Sequence, residues 1–106
     1  MNVEEIINND IMDLKVGMEL AENINNDIVK DYAINRIERL NNNIEIYKTV
    51  SINNVVDSYV VDLALFINIS HIVNDRESKD YFKGKLSTIM KSFPYLKEKR
   101  ELVNLI

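Results

Sequence analysis

Apolar residues are densest between Asn54 and Val73, where VVDSYVVDLALFINISHIV is too continuous for a surface helix or an alternating strand. Such a stretch predicts an element enclosed by protein on most sides. Its length favours a helix, because buried strands usually stop at about four to eight residues, although the β-branched Val55, Val56, Val60 and Val61 pull toward strand. Ser51, Asn53 and Asn54 offer side-chain oxygens to the free N–H groups of a first turn, so the helix is expected to begin near Ile52. Asp57, Ser58, Asp62 and Asn68 interrupt the run, which argues against a membrane span of about 20 mostly apolar residues. Asp62 and Asn68 are expected at the margin of the buried face, where they stay wet.

Around this core element the pattern changes period. Met1 to Ile11 reads as a helical turn or an extended lead-in. From Val16 to Ile24, Val16, Met18, Leu20 and Ile24 alternate with polar residues as in a half-buried strand, with Gly17 at a turn or bulge. Asp27 to Asn41 is an amphipathic helix, with Val29, Ala33, Ile37 and Leu40 on one face and Lys30, Arg36 and Arg39 in water. The Asn41-Asn42-Asn43 run ends it. Ile44, Ile46 and Val50 then alternate as a second strand. Beyond the core helix, Asn74 to Ser78 is a loop, and Lys79 to Ser92 is helical with an interruption or cap at Gly84. Pro94 opens a last helix over Tyr95 to Ile106, whose apolar face is Leu96, Leu102, Val103 and Ile106. The expected class is α+β in a single domain: a small strand–helix–strand part over residues 1–50, followed by a three-helix segment over 51–106 that packs on it.

With 106 residues and an apolar fraction of 46%, the chain can bury one modest core. It has no cysteine, which removes disulfides, thiolate catalysis and cysteine-ligated metal sites. The acidic start MNVEEIINND lacks the basic-then-apolar order of a secretory signal, so a cytoplasmic location is expected. Charge is unevenly placed: residues 1–75 hold 13 acidic and 5 basic side chains, and residues 76–106 hold 4 acidic and 8 basic. An acidic body weakens attraction to nucleic acid or anionic lipid, while the basic end can make a local contact.

Candidate chemistry is sparse. His71 is the one histidine, which leaves little to build a histidine metal cluster or a nucleophile–histidine–acid triad. Asp57 and Asp62, five apart, do not share a helix face as an acid–base pair. Gly84-Lys85-Leu86-Ser87 lacks the upstream glycine and the adjacent hydroxyl of a phosphate-binding loop. In the basic end, Lys83, Lys85, Lys91 and Lys97, with His71, are candidates for contact with an anion or nucleic acid. Tyr81, Phe82, Phe93 and Tyr95, interleaved with them, are candidates for a partner-binding face.

Three ordered stretches resemble HD-GYP proteins, metal-dependent phosphodiesterases of cyclic di-GMP. Asp13-Leu14-Lys15-Val16-Gly17-Met18 through Ile24 is similar to the segment opening the small domain of that family. Leu63 through Ile72 lies where the family has an apolar helix ending in His-Asp-Ile-Gly-Lys-Ile. Gly84-Lys85-Leu86 and Ile89-Met90-Lys91-Ser92-Phe93-Pro94 resemble its Gly-Lys-Leu and Ile-Met-Lys-x-His-Pro. The resemblance places the family's His-Asp pair on Ile67 and Asn68 and its next His on Phe93, and Ile and Phe cannot donate to a metal. It therefore implies a shortened relative with the catalytic centre erased.

The expectation is a non-catalytic regulatory or protein-interaction module without a cofactor, acting through another protein or a second copy of itself. Alternatives are a small DNA-binding protein of winged-helix type, using Ile28 to Asn41 or the basic end, and a module that holds a nucleotide near Lys85, Lys91 or His71 without cleaving it. No contact with a membrane is expected.

Overall fold

The computed structural model describes all residues from Met1 to Ile106, and every regular element in it is helical. In order these are α1 (Val3–Asn23), α2 (Asp27–Asn42), α3 (Ile44–Tyr47), α4 (Ile52–Ile72), α5 (Arg76–Ser92), a 3-10 helix (Pro94–Glu98) and α6 (Arg100–Val103). The expected α+β class is overturned: the fold is all-α, with no strand or sheet.

Both expected strands fail for a readable reason. Val16 to Ile24 lies in the second half of α1, whose buried residues are Ile6, Ile7, Asp10, Ile11, Asp13, Leu14, Gly17, Leu20 and Ala21. These recur every three to four positions, the period of one helix face. Asp10 and Asp13 occupy core places in that stripe, so an apolar-only reading sees it broken and picks up the short alternation after Val16 instead. Gly17 is a buried mid-helix residue, not a turn. The second expected strand, Ile44 to Val50, is the single-turn α3 and the turn after it, with Ile46 and Val50 exposed.

The structure divides into two compact units, residues 1–62 and 63–106, with α4 contributing its first half to one and its second half to the other. In the first, α1 and α2 pack along each other, and α3 lies against α1. Lys48, just after α3, reaches Glu4 in the first turn of α1 at 3.2 Å and Glu45 at 3.1 Å. In the second unit, Leu63, Phe66 and Ile67 of α4 are buried together with Phe82, Leu86, Ile89 and Met90 of α5, Leu96 of the 3-10 helix and Leu102 of α6. Phe66 and Phe82 stack with ring centroids 5.2 Å apart. The expected last helix, Tyr95 to Ile106, is split into the 3-10 helix and α6, and α5 starts at Arg76 and runs through Gly84 without interruption.

Two connections repeat one design. After α1, Asn25 takes a left-handed φ of 56°, the Asn26 N–H bonds the Ala21 carbonyl, and the Asn26 side chain caps α2 by accepting from Val29 N at 3.1 Å. After α4, Asn74 takes φ 57°, the Asp75 N–H bonds the Ser70 carbonyl, and the Asp75 side chain caps α5 by accepting from Ser78 N at 3.0 Å. Asparagine is the residue after glycine that tolerates this conformation, and the 6→1 bond is the Schellman closure of a helix end.

At 21 residues and a mean hydropathy of 1.4, α4 is long and apolar enough to cross a membrane by length and composition, but half of its apolar stretch is buried inside the protein. Its buried positions, from Val55 and Val56 through Tyr59, Asp62, Leu63, Phe66 and Ile67 to Ser70, again follow helical spacing.

Candidate functional site

The most unusual chemistry lies in the first unit, where three helices each place two polar groups one turn apart: Asp10 and Asp13 on α1, Tyr32 and Arg36 on α2, Tyr59 and Asp62 on α4. Residues three or four apart share a helix face, so each pair points inward as a unit. The Arg36 guanidinium donates through Nε to Asp62 Oδ2 at 3.2 Å, and through Nη2 to Asp62 Oδ2 and Asp10 Oδ2, each at 3.1 Å. The Tyr32 hydroxyl donates to Asp62 Oδ1, and the Tyr59 hydroxyl to Asp13 Oδ2. The side chains of Asp10 and Asp62 are 3% exposed and that of Arg36 is 12% exposed.

Two expectations are corrected here. Asp62 is buried at the centre of the cluster, not wet at a margin, because its acceptor oxygens are met by Tyr32 and Arg36. Arg36 is turned inward, not solvated, because two carboxylates hold it. Asn68, by contrast, is exposed.

Charge in the cluster is unbalanced. Burial, followed by the hydrogen bond and charge of Asp62, pushes the Asp10 carboxyl up to about 10, against the smaller opposing pull of Arg36. Asp10 therefore carries a proton at neutral pH. The 3.1 Å contact with Arg36 has ion-pair geometry, yet it is then a charge-assisted hydrogen bond to a neutral carboxyl. Burial works to lower Arg36, but the charges of Asp62 and Asp10 outweigh it and hold the guanidinium above its ordinary value. Tyr32 is raised by burial and by its bond to Asp62, which keeps it a donor.

Against this cluster lies an open pocket of about 180 Å³. Asp10, Leu40 and Val55 are its buried lining, Arg36 and Tyr47 are half-buried, and Val50, Asn54 and Ser58 stand exposed around it. Asp10 Oδ1 is the one buried side-chain polar atom that receives no hydrogen bond from the chain, and such an atom calls for an explanation.

The residues singled out from sequence fall elsewhere, in the second unit. His71, in the last turn of α4, has Nδ1 3.0 Å from Lys79 Nζ. His71 and Lys83 line an open depression with Arg76, Lys79, Asp75 and Asp80. Lys91 and Lys97 line another with Met90, Val103 and Ile106. Lys85 is half-buried on α5 and lines neither depression. Of the expected partner face, Phe82 is fully buried against Phe66, Tyr81 is exposed edge-on to Phe82, and Phe93 and Tyr95 are half-buried. Ile67 is buried.

The cluster itself escaped sequence reasoning. Its signal is the recurrence of Asp10 and Asp13 in phase with Ile7, Ile11 and Leu14, which places acids inside a core stripe. Comparison with protein-family models, with curated proteins and with solved structures finds no match to this chain.

Proposed function

We propose that the chain is a non-catalytic regulatory module whose first unit holds a small ligand in the pocket beside Asp10. The observation that carries this reading is the pocket's polar wall. Asp10 and Arg36, bonded to each other, line it together with Leu40 and Val55, while Arg36 and Tyr32 bind Asp62. That is an arrangement for recognition: apolar walls with a few placed polar groups. It presents no activated nucleophile, since the hydroxyl of Ser58 has no base among the lining residues.

The resemblance of three stretches to HD-GYP proteins supports the same direction, because it would put that family's ion ligands on Ile67, Asn68 and Phe93. Output through another protein is supported by the depression in the second unit, where Lys91 and Lys97 flank Met90, Val103 and Ile106 and so suit an acidic, partly apolar partner. Winged-helix DNA binding is less well supported, as that motif uses a β-hairpin wing and no strand forms here.

The test is a small-fragment screen on isotope-labelled protein. Ligands that shift the resonances of Leu40, Tyr47 and Val55 and raise the melting temperature are expected. A screen in which no fragment moves these residues overturns the reading.

A further inference from the structure

The geometry points to an uncharged amphipathic ligand for this pocket, an apolar group of about six carbons carrying one hydroxyl or carboxamide. The inference rests on the ligand-binding reading above and narrows it to a chemical class.

Size sets the apolar part. A cavity of about 180 Å³ is close to that of engineered apolar cavities of ~150 Å³ that admit benzene. Leu40, Val50, Val55 and the Tyr47 ring offer such a body its walls.

Charge sets the polar part. Facing Asp10 are Arg36 and Tyr32 from α2 and Asp62 from α4, with Asp13 a turn away on α1 and Tyr47 of α3 across the pocket. Asp10 with its retained proton is neutral and Arg36 is matched by Asp62, while Asp13 adds a further carboxyl. An anionic ligand would find Arg36, the cation lining the pocket, already held on two sides by Asp62 and Asp10. A cationic ligand would gain only by expelling the proton from Asp10. With that carboxyl pushed well up by burial and by Asp62, expulsion of its proton at pH 7 weakens a cation. A hydroxyl or amide meets neither penalty, and beside the Asp10 carboxyl and Arg36 it can both donate and accept.

Three probes of one shape and different charge decide the matter: benzyl alcohol, benzylammonium and benzoate. Each is titrated into the full chain at pH 7 and followed by NMR at Leu40, Tyr47 and Val55. Benzyl alcohol is expected to bind at least tenfold more tightly than either ion. Benzylammonium is expected to gain up to about tenfold per pH unit from pH 6 to 8, where the ligand stays cationic, as the proton of Asp10 leaves more readily, while benzyl alcohol stays flat. Asp10→Asn, which cannot ionise, should flatten the rise of benzylammonium below pH 8. Tighter binding of either ion at pH 7 overturns the charge assignment and leaves the pocket reading intact. Failure of all three to shift the pocket resonances overturns both.

Discussion

Asp10 of α1 and Asp62 of α4 take hydrogen bonds from the same nitrogen, Nη2 of Arg36, at 3.1 Å each. Two buried acids on one cation cannot both ionise cheaply, and Asp10, less well supplied with donors, is the one that keeps its proton. The cluster thus joins α1, α2 and the first half of α4, and makes that junction sensitive to pH.

The sign of that sensitivity follows from the raised value of Asp10. In the unfolded chain the carboxyl ionises near its ordinary 3.8, but in the fold it does so only near 10. Its contribution to stability is complete below about pH 4 and is lost as pH climbs toward 10, by at most about 1.4 kcal/mol per unit. Asp10→Asn cannot ionise and can still donate to Asp62 and accept from Arg36. Urea denaturation at pH 5, 7 and 9 is expected to show the variant gaining on the natural chain as pH rises. A gain that shrinks with pH contradicts the assignment of the proton.

Removing the cation alone should be severe. Arg36→Met leaves Asp62 and Asp10 buried without their shared donor, and breaking a buried pair this way costs about 3–5 kcal/mol. Replacing the three together, as Asp10→Leu, Arg36→Met and Asp62→Leu, removes the charges along with their need for partners. The triple variant is expected to recover most of the loss, since apolar groups of similar volume often match a buried ion cluster. Denaturant midpoints of the single and triple variants provide the comparison.

The two left-handed asparagines make a matched pair of tests. Asn74→Gly should be neutral or stabilising, because glycine enters this conformation without a side-chain clash. Asn74→Val should lose about 1–2 kcal/mol or more, because a Cβ in this region is strained and a branched one more so. The same order is expected at Asn25. Melting temperatures of the four variants read it directly.

Caps can be tested at the residues that follow. Asn26→Ala and Asp75→Ala should each cost about 1 kcal/mol, as is typical of lost N-caps. The backbone and hydroxyl bonds from Ser78 hold Asp75 below its ordinary value. Its contribution is therefore present above about pH 4 and is lost as pH falls below that, so the cost of Asp75→Ala should shrink in acid. Unfolding curves at pH 3 and pH 7 distinguish this from a fixed cost.

Gly84 offers a stabilising change. It sits inside α5, is exposed, and a Cβ built there meets no atom within 4 Å. Gly84→Ala is expected to gain about 0.8–1 kcal/mol from helix propensity alone, measurable as a higher denaturant midpoint.

How much of this was legible in the chain depends on what carried the apolar signal. α2 was readable because Val29, Ala33, Ile37 and Leu40 mark its face without interruption, and α4 because its run is too long for a strand. α1 was not, because Asp10 and Asp13 stand where apolar residues are expected, and only their partners Arg36 and Tyr59 make those places tolerable. Those partners come from distant parts of the chain, and nothing local identifies them. The candidate site was hidden by the same cause: a rule that sends arginine to water cannot see Arg36, whose burial depends on acids in two other helices. The basic end drew attention through composition, yet its lysines divide between separate depressions.

The chain has five tyrosines and no tryptophan, and Tyr32 and Tyr59 each give their hydroxyl proton to an aspartate of the cluster. Ultraviolet emission from this molecule is accordingly all tyrosine, and two of its five rings carry those bonds. The part of a fluorescence shift on titration that Tyr32→Phe or Tyr59→Phe removes reports the α1–α2–α4 junction.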